Sequence, residues 1–309
     1  MRVVIAEDYG NIADRFGQVA DVTRLTTWDE AALIAAVKDA DALLVRSNAR
    51  VTARVLDAGP RLKVVGRGGA GLDNIDVEAA KQRGITVVHT PAAATRSVAE
   101  HAIALLLALQ RHLIAGDGAV RAGRFAAMRR TLRFRELGGL TLGVVGMGRI
   151  GSTVARMAHA GFGMRVIYND IRPVGPFSYA DAVTDKRALF CRSDVVTLHV
   201  PLTSSTRGMI DKERLDQFRP DALLINTSRG AVVELDALAV SLNERRLGGA
   251  GLDVFDPEPP PADHPILACP FVVMSPHSAA RSGEAMARMD DVVDDVIRVL
   301  RGAAPLGPV

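Results

Sequence analysis

At 309 residues the chain has room for two domains with sizeable cores. Its 48% hydrophobic and 24% charged residues are those of an ordinary globular protein, and a net charge of +3 points neither toward nor away from a polyanionic partner. Two cysteines, Cys191 and Cys269, exclude a disulfide framework and a cysteine metal site, and the longest apolar helical stretch, Ala102 to Leu109, is far short of the roughly 20 residues of a membrane span.

Met1 leads straight into Val3-Val4-Ile5 with no leader pattern, so a reducing, cytoplasmic setting is expected. Residues 1 to 90 alternate strand and helix. The apolar runs Val3–Ala6, Ala42–Val45, Leu62–Val65 and Ile85–Val88 read as buried parallel strands, with helices near Glu30–Lys38, Ala53–Ala58 and Val77–Arg83 between them. Gly66, Gly68 and Gly71 follow the third run with Gly-x-Gly-x-x-Gly spacing. About twenty positions on lie Val88 to Pro91, with no acidic residue, and the glycines run into the turn Leu72-Asp73-Asn74. This copy therefore reads as a tight turn rather than a dinucleotide site.

Ser97 to Leu113 reads as a long helix, opened by a Ser97/Glu100 capping box and apolar around most of its axis. His101 within it reads first as a structural polar contact, with a functional role as the alternative. Residues 116 to 139 read as an irregular arm with six arginines between Arg121 and Arg135. Only Phe125 and Phe134 interleave them, so no nucleic-acid partner is expected. A solvated arm, or one that meets an anionic substrate or a partner subunit, remains.

The organising motif is Leu142-Gly143-Val144-Val145 followed by Gly146-x-Gly148-x-x-Gly151 and a helical pattern. Gly146 permits the turn, Gly148 lets a pyrophosphate approach the backbone, and Gly151 lets the helix sit close to its strand. The helix start offers free N–H groups and a partial positive charge. A strand at Arg165–Tyr168 then leads to Asp170, placed to take the ribose hydroxyls of NAD. Asp170 would repel a 2′-phosphate, which favours NAD over NADP, although Arg172 two positions on tempers that preference.

Strands follow at Val195–Val200, Ala222–Asn226, Gly249–Val254 and Phe271–Met274, and Met286 to Leu300 reads as a final amphipathic helix. The strands end at Pro201, Ser228-Arg229-Gly230, Asp253 and Pro276-His277. Ligands of doubly wound sheets sit beyond the carboxyl ends of the strands, so Arg229, Asp253 and His277 should converge there, with Glu258 on the following loop. Histidine can exchange a hydroxyl proton, a carboxylate can orient it, and arginine can hold a carboxylate or alkoxide. Each also has an ordinary structural role: a strand-end histidine, a solvated loop charge, a capping arginine. No ligand spacing supports a metal.

At these residues the chain resembles the D-isomer-specific 2-hydroxyacid dehydrogenases, most of all the D-3-phosphoglycerate dehydrogenase branch. The matching stretches run in order along nearly the whole chain: Val45-Arg46-Ser47, Gly66 through Asp76, Ser97 through His101, Gly146 to Gly151, His199 through Thr203, Asn226 through Gly230, Gly251 through Phe255 and Pro276-His277. The resemblance implies an α/β protein of two doubly wound parallel-sheet domains. One is a flavodoxin-like substrate domain (1–97 plus 281–309), the other a Rossmann NAD-binding domain (98–280). It implies Arg229, Glu258 and His277 as catalytic residues. Gly146, Gly148, Arg149, Ile150, Gly151, Asp170, Pro201, Thr206, Thr227 and Asp253 would contact NAD, Asp253 at the nicotinamide amide. Arg46, Ser47 and the segment Arg67, Gly68, Gly69, Ala70 and Gly71 would bind substrate, the backbone of Arg67–Gly71 taking the carboxylate. It further implies a homodimer through the second domain and the helix and arm near residues 98 to 139; the residues themselves lead us to expect no metal and no membrane partner.

Ser228 before the arginine, Ala231 after Gly230 and Ala279-Ala280 after the histidine depart from the family's usual residues. They put the substrate in question more than the reaction. The expected activity is hydride exchange between NAD(H) and a small D-2-hydroxy or 2-oxo acid. 3-Phosphoglycerate, glyoxylate and hydroxypyruvate are all open, and a non-catalytic NAD(H)-sensing protein like the dehydrogenase-related corepressors is the alternative from another class.

Overall fold

The computed structural model describes residues 1–7, 9–10 and 12–309. They form two compact units, residues 1–94 with 281–309, and residues 95–280.

The first unit holds five parallel strands: β1 (Arg2–Ile5), β2 (Asp21–Arg24), β3 (Ala42–Val45), β4 (Val64–Arg67) and β5 (Thr86–His89), in the order β2-β1-β3-β4-β5. That is the flavodoxin-like order. Alternate residues feed two cores: Val4, Leu43, Val45 and Val65 pack with Leu33 and Val55, while Val3, Ile5, Leu44 and Val64 pack with Phe16, Val292 and Val296. The helices Glu30–Val37, Ala53–Asp57 and Val77–Gln82 each start at a side-chain cap, Asp29, Thr52 and Asp76. Strand β2 carries no apolar run and is only half buried, which is why it escapes a hydrophobic reading. The expected single last helix is two, Gly283–Asp290 and Val292–Leu300, broken by a turn at Asp291. Buried Asp295 accepts N–H bonds from Leu306 (2.6 Å) and Gly307 (2.9 Å), so the tail pairs antiparallel with β5 and covers that sheet edge.

The second unit holds β6 (Thr141–Val145), β7 (Arg165–Asn169), β8 (Asp181–Ala182), β9 (Val195–Leu198), β10 (Leu223–Asn226), β11 (Gly249–Leu252) and β12 (Val272–Met274). All are parallel, in the order β12-β11-β10-β9-β6-β7-β8. This is the doubly wound Rossmann order, with its switch point between β6 and β9. The long helix spans Thr95–Gln110, and Gly251 of β11 lets it approach: a Cβ there would lie 3.0 Å from Leu105 Cβ. Ser97 is inside this helix, not at its cap; its hydroxyl donates to Ala279 O at 2.6 Å. The helix stops before His112, which takes a left-handed φ of 50° and opens a second helix, Leu113–Arg121. A third, Phe125–Thr131, follows, so much of the arm expected to be irregular is helical. Gly116 and Gly118 inside the first of them hid its pattern. No single helix among the described residues is long and apolar enough to cross a membrane.

Candidate active site

The turn after β6 has the geometry of a phosphate cradle. Gly146 sits at φ 90°, and a Cβ there would lie 2.5 Å from His199 O. Gly151 is tighter still: its Cβ would lie 2.0 Å from Gly146 O, so only glycine lets the helix start against its own loop. Gly148 faces open space and begins the helix Arg149–Phe162 with no side-chain cap. The first-turn N–H groups, with Arg149 and Ile150, are thus left for an anionic ligand. At the end of β7, Asp170 accepts N–H bonds from Met147 (2.7 Å) and Arg172 (2.9 Å), which holds its carboxylate beside the turn. Thr206 Oγ1 donates to Pro201 O (2.6 Å) and accepts from Thr203 N (2.8 Å), closing the loop after β9. Thr227, at the end of β10, is buried with a hydroxyl that has no partner among the described residues. An orphaned buried donor there and an open glycine at the helix start both fit a bound dinucleotide.

The same end of this sheet carries Arg229, Glu258 and His277. Asn226 shapes the loop after β10: its carbonyl oxygen accepts from Ser228 N (3.0 Å) and Oγ (2.7 Å), and its amide donates to Arg229 O (2.9 Å). Gly230 then presses that loop onto the next, since a Cβ would lie 1.9 Å from Phe255 C. This contact brings Arg229 to the loop that carries Glu258. Glu258 Oε1 accepts from Phe255 N at 3.0 Å, and Oε2 lies 2.9 Å from His277 Nδ1. Burial alone would raise the Glu258 pKa, but the bond to His277, the Phe255 N–H and the charges of His277 and Arg229 outweigh it and hold the carboxyl below its ordinary value. An ionised carboxylate only accepts, so Nδ1 carries the proton and Nε2 is left to exchange one with a ligand.

Asp253, at the end of β11, is placed differently. Its carboxylate is fully buried and accepts from Ser278 N (2.8 Å), Ala279 N (2.9 Å) and Ser275 Oγ (2.6 Å), while its backbone oxygen accepts from His277 N (2.8 Å). It therefore builds the loop on which His277 stands, with His277 at φ 50°. The contributions of Ser275 and of His101 to this loop are absent from any motif reading; a histidine on an otherwise apolar helix was the one available sign.

In the first unit, the loop after β4 is tied down from below. Tyr9 donates its hydroxyl to Val45 O and accepts from Gly68 N at 2.8 Å, and burial pushes its pKa up, so it stays protonated. Gly69 N donates to Thr90 Oγ1 at 2.8 Å, and buried Arg67 turns its guanidinium onto Gly68 O. Of the N–H groups in Gly68–Gly71, those of Ala70 and Gly71 alone have no partner among the described residues. Arg46 is buried, pairs with Asp290 at 2.7 Å and stacks 4.3 Å above the Tyr9 ring, whereas Ser47 is exposed. Glu7, unremarked in the sequence, accepts N–H bonds from Arg46, Asn48 and Ala49 and sets the shape of that loop.

The second unit is thus equipped to bind a dinucleotide and to move a proton at the same end of its sheet. Residues 103–279 match the NAD-binding domain of the D-isomer specific 2-hydroxyacid dehydrogenases, and the chain belongs to that family. It is 40% identical over 302 residues to a D-3-phosphoglycerate dehydrogenase of Methanocaldococcus jannaschii, covering 96% of this chain and 56% of that protein. It is 42% identical over 278 residues to a glyoxylate reductase of Korarchaeum cryptofilum, covering 88% of this chain and 83% of that protein. The chain therefore spans little more than half the length of the first relative and most of the second. The solved structure of a Thermus thermophilus protein is similar over 100% of both chains, with 38% identity and a TM-score of 0.92.

Proposed function

We propose that the protein is an NAD-dependent oxidoreductase of small D-2-hydroxy acids and their 2-oxo counterparts. The observation that carries this reading is the His277–Glu258 pair at 2.9 Å, with Arg229 on the neighbouring loop, at the strand ends that also carry the dinucleotide turn. Bound NAD supplies the hydride acceptor. His277 Nε2 takes the hydroxyl proton during oxidation and returns it during reduction, Glu258 stabilises the imidazolium, and Arg229 holds the carboxylate and the developing alkoxide. Gly146 to Gly151, Asp170, Pro201, Thr206 and Thr227 serve the cofactor. Asp253, expected at the nicotinamide amide, is instead fully buried with both carboxylate oxygens taken by the His277 loop, so its part is to build that loop. In the first unit the N–H groups of Ala70 and Gly71, without a partner among the described residues, are the donors offered to an anionic group, and Arg46 shapes its loop while its guanidinium is paired with Asp290.

The substrate candidates are 3-phosphoglycerate, glyoxylate, hydroxypyruvate and other small 2-oxo acids. The protein works in the cytoplasm, supported by its two unpaired cysteines, and as a homodimer, supported by exposed Leu113, Ile114, Val120 and Phe125 on the arm. The test is NADH oxidation against a panel of 2-oxo acids that includes 3-phosphohydroxypyruvate, with His277→Ala and Arg229→Ala as controls. Turnover of one acid, lost by about 100-fold or more in both variants, is expected. NADH binding with turnover of none would overturn the enzyme and leave a sensing protein. Light scattering of the wild type against Ile114→Glu reads the dimer.

A further inference from the structure

His101 stands outside the proton-transfer pair, yet it touches the loop that positions it. From the helix Thr95–Gln110 its Nε2 lies 2.8 Å from Ser275 Oγ and 3.4 Å from Asp253 Oδ1. Ser275 has one hydroxyl proton, and Asp253 Oδ1 at 2.6 Å is an acceptor, so the serine donates there. The serine oxygen is then left only to accept, which requires the proton of His101 on Nε2. The bonds therefore run in one direction: imidazole N–H to serine oxygen, serine O–H to carboxylate. That carboxylate takes the N–H groups of Ser278 and Ala279, immediately after His277. Ser97, one helical turn before His101, holds Ala279 O at 2.6 Å.

We propose that His101 is a positioning residue for the reaction, which fixes the His277 loop through Ser275 and Asp253. A donor aimed at Ser275 keeps the serine proton on Asp253, and the carboxylate then holds the two amides that set where His277 stands. Without that donor the serine can turn away, and a buried carboxylate loses its shortest hydrogen bond. The proposal rests on the reading of His277 as the proton-exchanging group, but the arrangement it describes is measurable without turnover.

The test compares His101→Gln, which keeps a side-chain donor, with His101→Leu, which removes it, and adds Ser275→Ala, which cuts the chain without altering the helix. Amide hydrogen exchange at Ser278 and Ala279 is expected to speed by about tenfold in H101L and S275A and to stay within about threefold of wild type in H101Q. Nitrogen-15 spectra of the wild type should show the His101 proton on Nε2. For any acid the wild type turns over, kcat should fall in H101L and recover in H101Q, with the affinity for NADH unchanged. Unchanged exchange in H101L and S275A, or equal effects of Gln and Leu, would overturn the proposal. If the wild type turns over no acid while exchange behaves as expected, the enzymatic reading falls and the positioning by His101 stands.

Discussion

Two turns in this chain share the Gly-x-Gly-x-x-Gly spacing, and the structure uses their glycines for different ends. After β6, Gly146 and Gly151 are confined by backbone oxygens, and Gly148 between them is open. The result is a helix start placed immediately beyond a strand, with its N–H groups exposed. After β4, Gly66 still lies within the strand, where a Cβ would meet Val296 Cγ2 at 2.6 Å, and one on Gly68 would meet the Tyr9 hydroxyl at 2.8 Å. These glycines admit neighbouring side chains, and the next helix waits until Val77. Spacing alone thus does not make a phosphate site. What matters is which atoms press on each glycine and whether a helix begins at the second.

Gly151→Val breaks the first turn most severely, because the contact is with backbone that cannot move aside. A loss of about 3 kcal/mol or more is expected in denaturant melts, together with loss of NADH binding. Gly66→Ala should cost about 1–3 kcal/mol through the collision with Val296, leave NADH affinity unchanged, and be largely rescued by Val296→Ala. If G66A weakened NADH binding without destabilising, the distinction between the two turns would fail. Gly148→Ala sharpens it from the other side. Stability should hold within about 1 kcal/mol, since nothing lies near the added methyl, while the NADH dissociation constant measured by fluorescence rises by about tenfold as the methyl obstructs the pyrophosphate.

The smallest effect concerns pH. The folded-state pKa of Glu258 is lowered, so the unfolded chain binds more protons as acid is added. The stabilisation is complete above the ordinary glutamate range and is lost as pH falls through the lowered folded value. With Glu258 and His277 each about a third exposed, solvent screening keeps this well under about 1 kcal/mol. Glu258→Gln should therefore flatten the acid limb of stability only slightly, measured by urea titration across that range.

The fold was readable where residues report on themselves. Val/Leu/Ile runs such as Ala42–Val45 are buried on both faces and could hardly be anything but interior parallel strands. Strand β2 was not readable, because half-buried Asp21-Val-Thr-Arg24 gains its place by pairing with β1. The candidate site divides in the same way. Arg229 and His277 follow strand ends that could be located from the sequence, Glu258 lies on the loop after β11, and the structure brings Glu258 onto His277 and Arg229 to the adjoining loop. Ser97 looked like a cap by its spacing from Glu100, and instead reaches a carbonyl 182 positions away.

By itself, then, the sequence determined the two parallel-sheet units, the glycine-rich turn with Asp170 at the next strand end, and the placing of Arg229 and His277 just beyond later strands. Each follows from periodicity, glycine geometry and side-chain chemistry within a short stretch of chain. Only the tertiary structure decided that Tyr9 occupies the space left by Gly68, that Gly230 packs one active loop on the next, and that His101 and Ser275 secure Asp253. Those partners are brought together across 59 residues in the first case and 174 in the last. No local propensity encodes such contacts, because they exist only once the sheets have set the strand ends side by side.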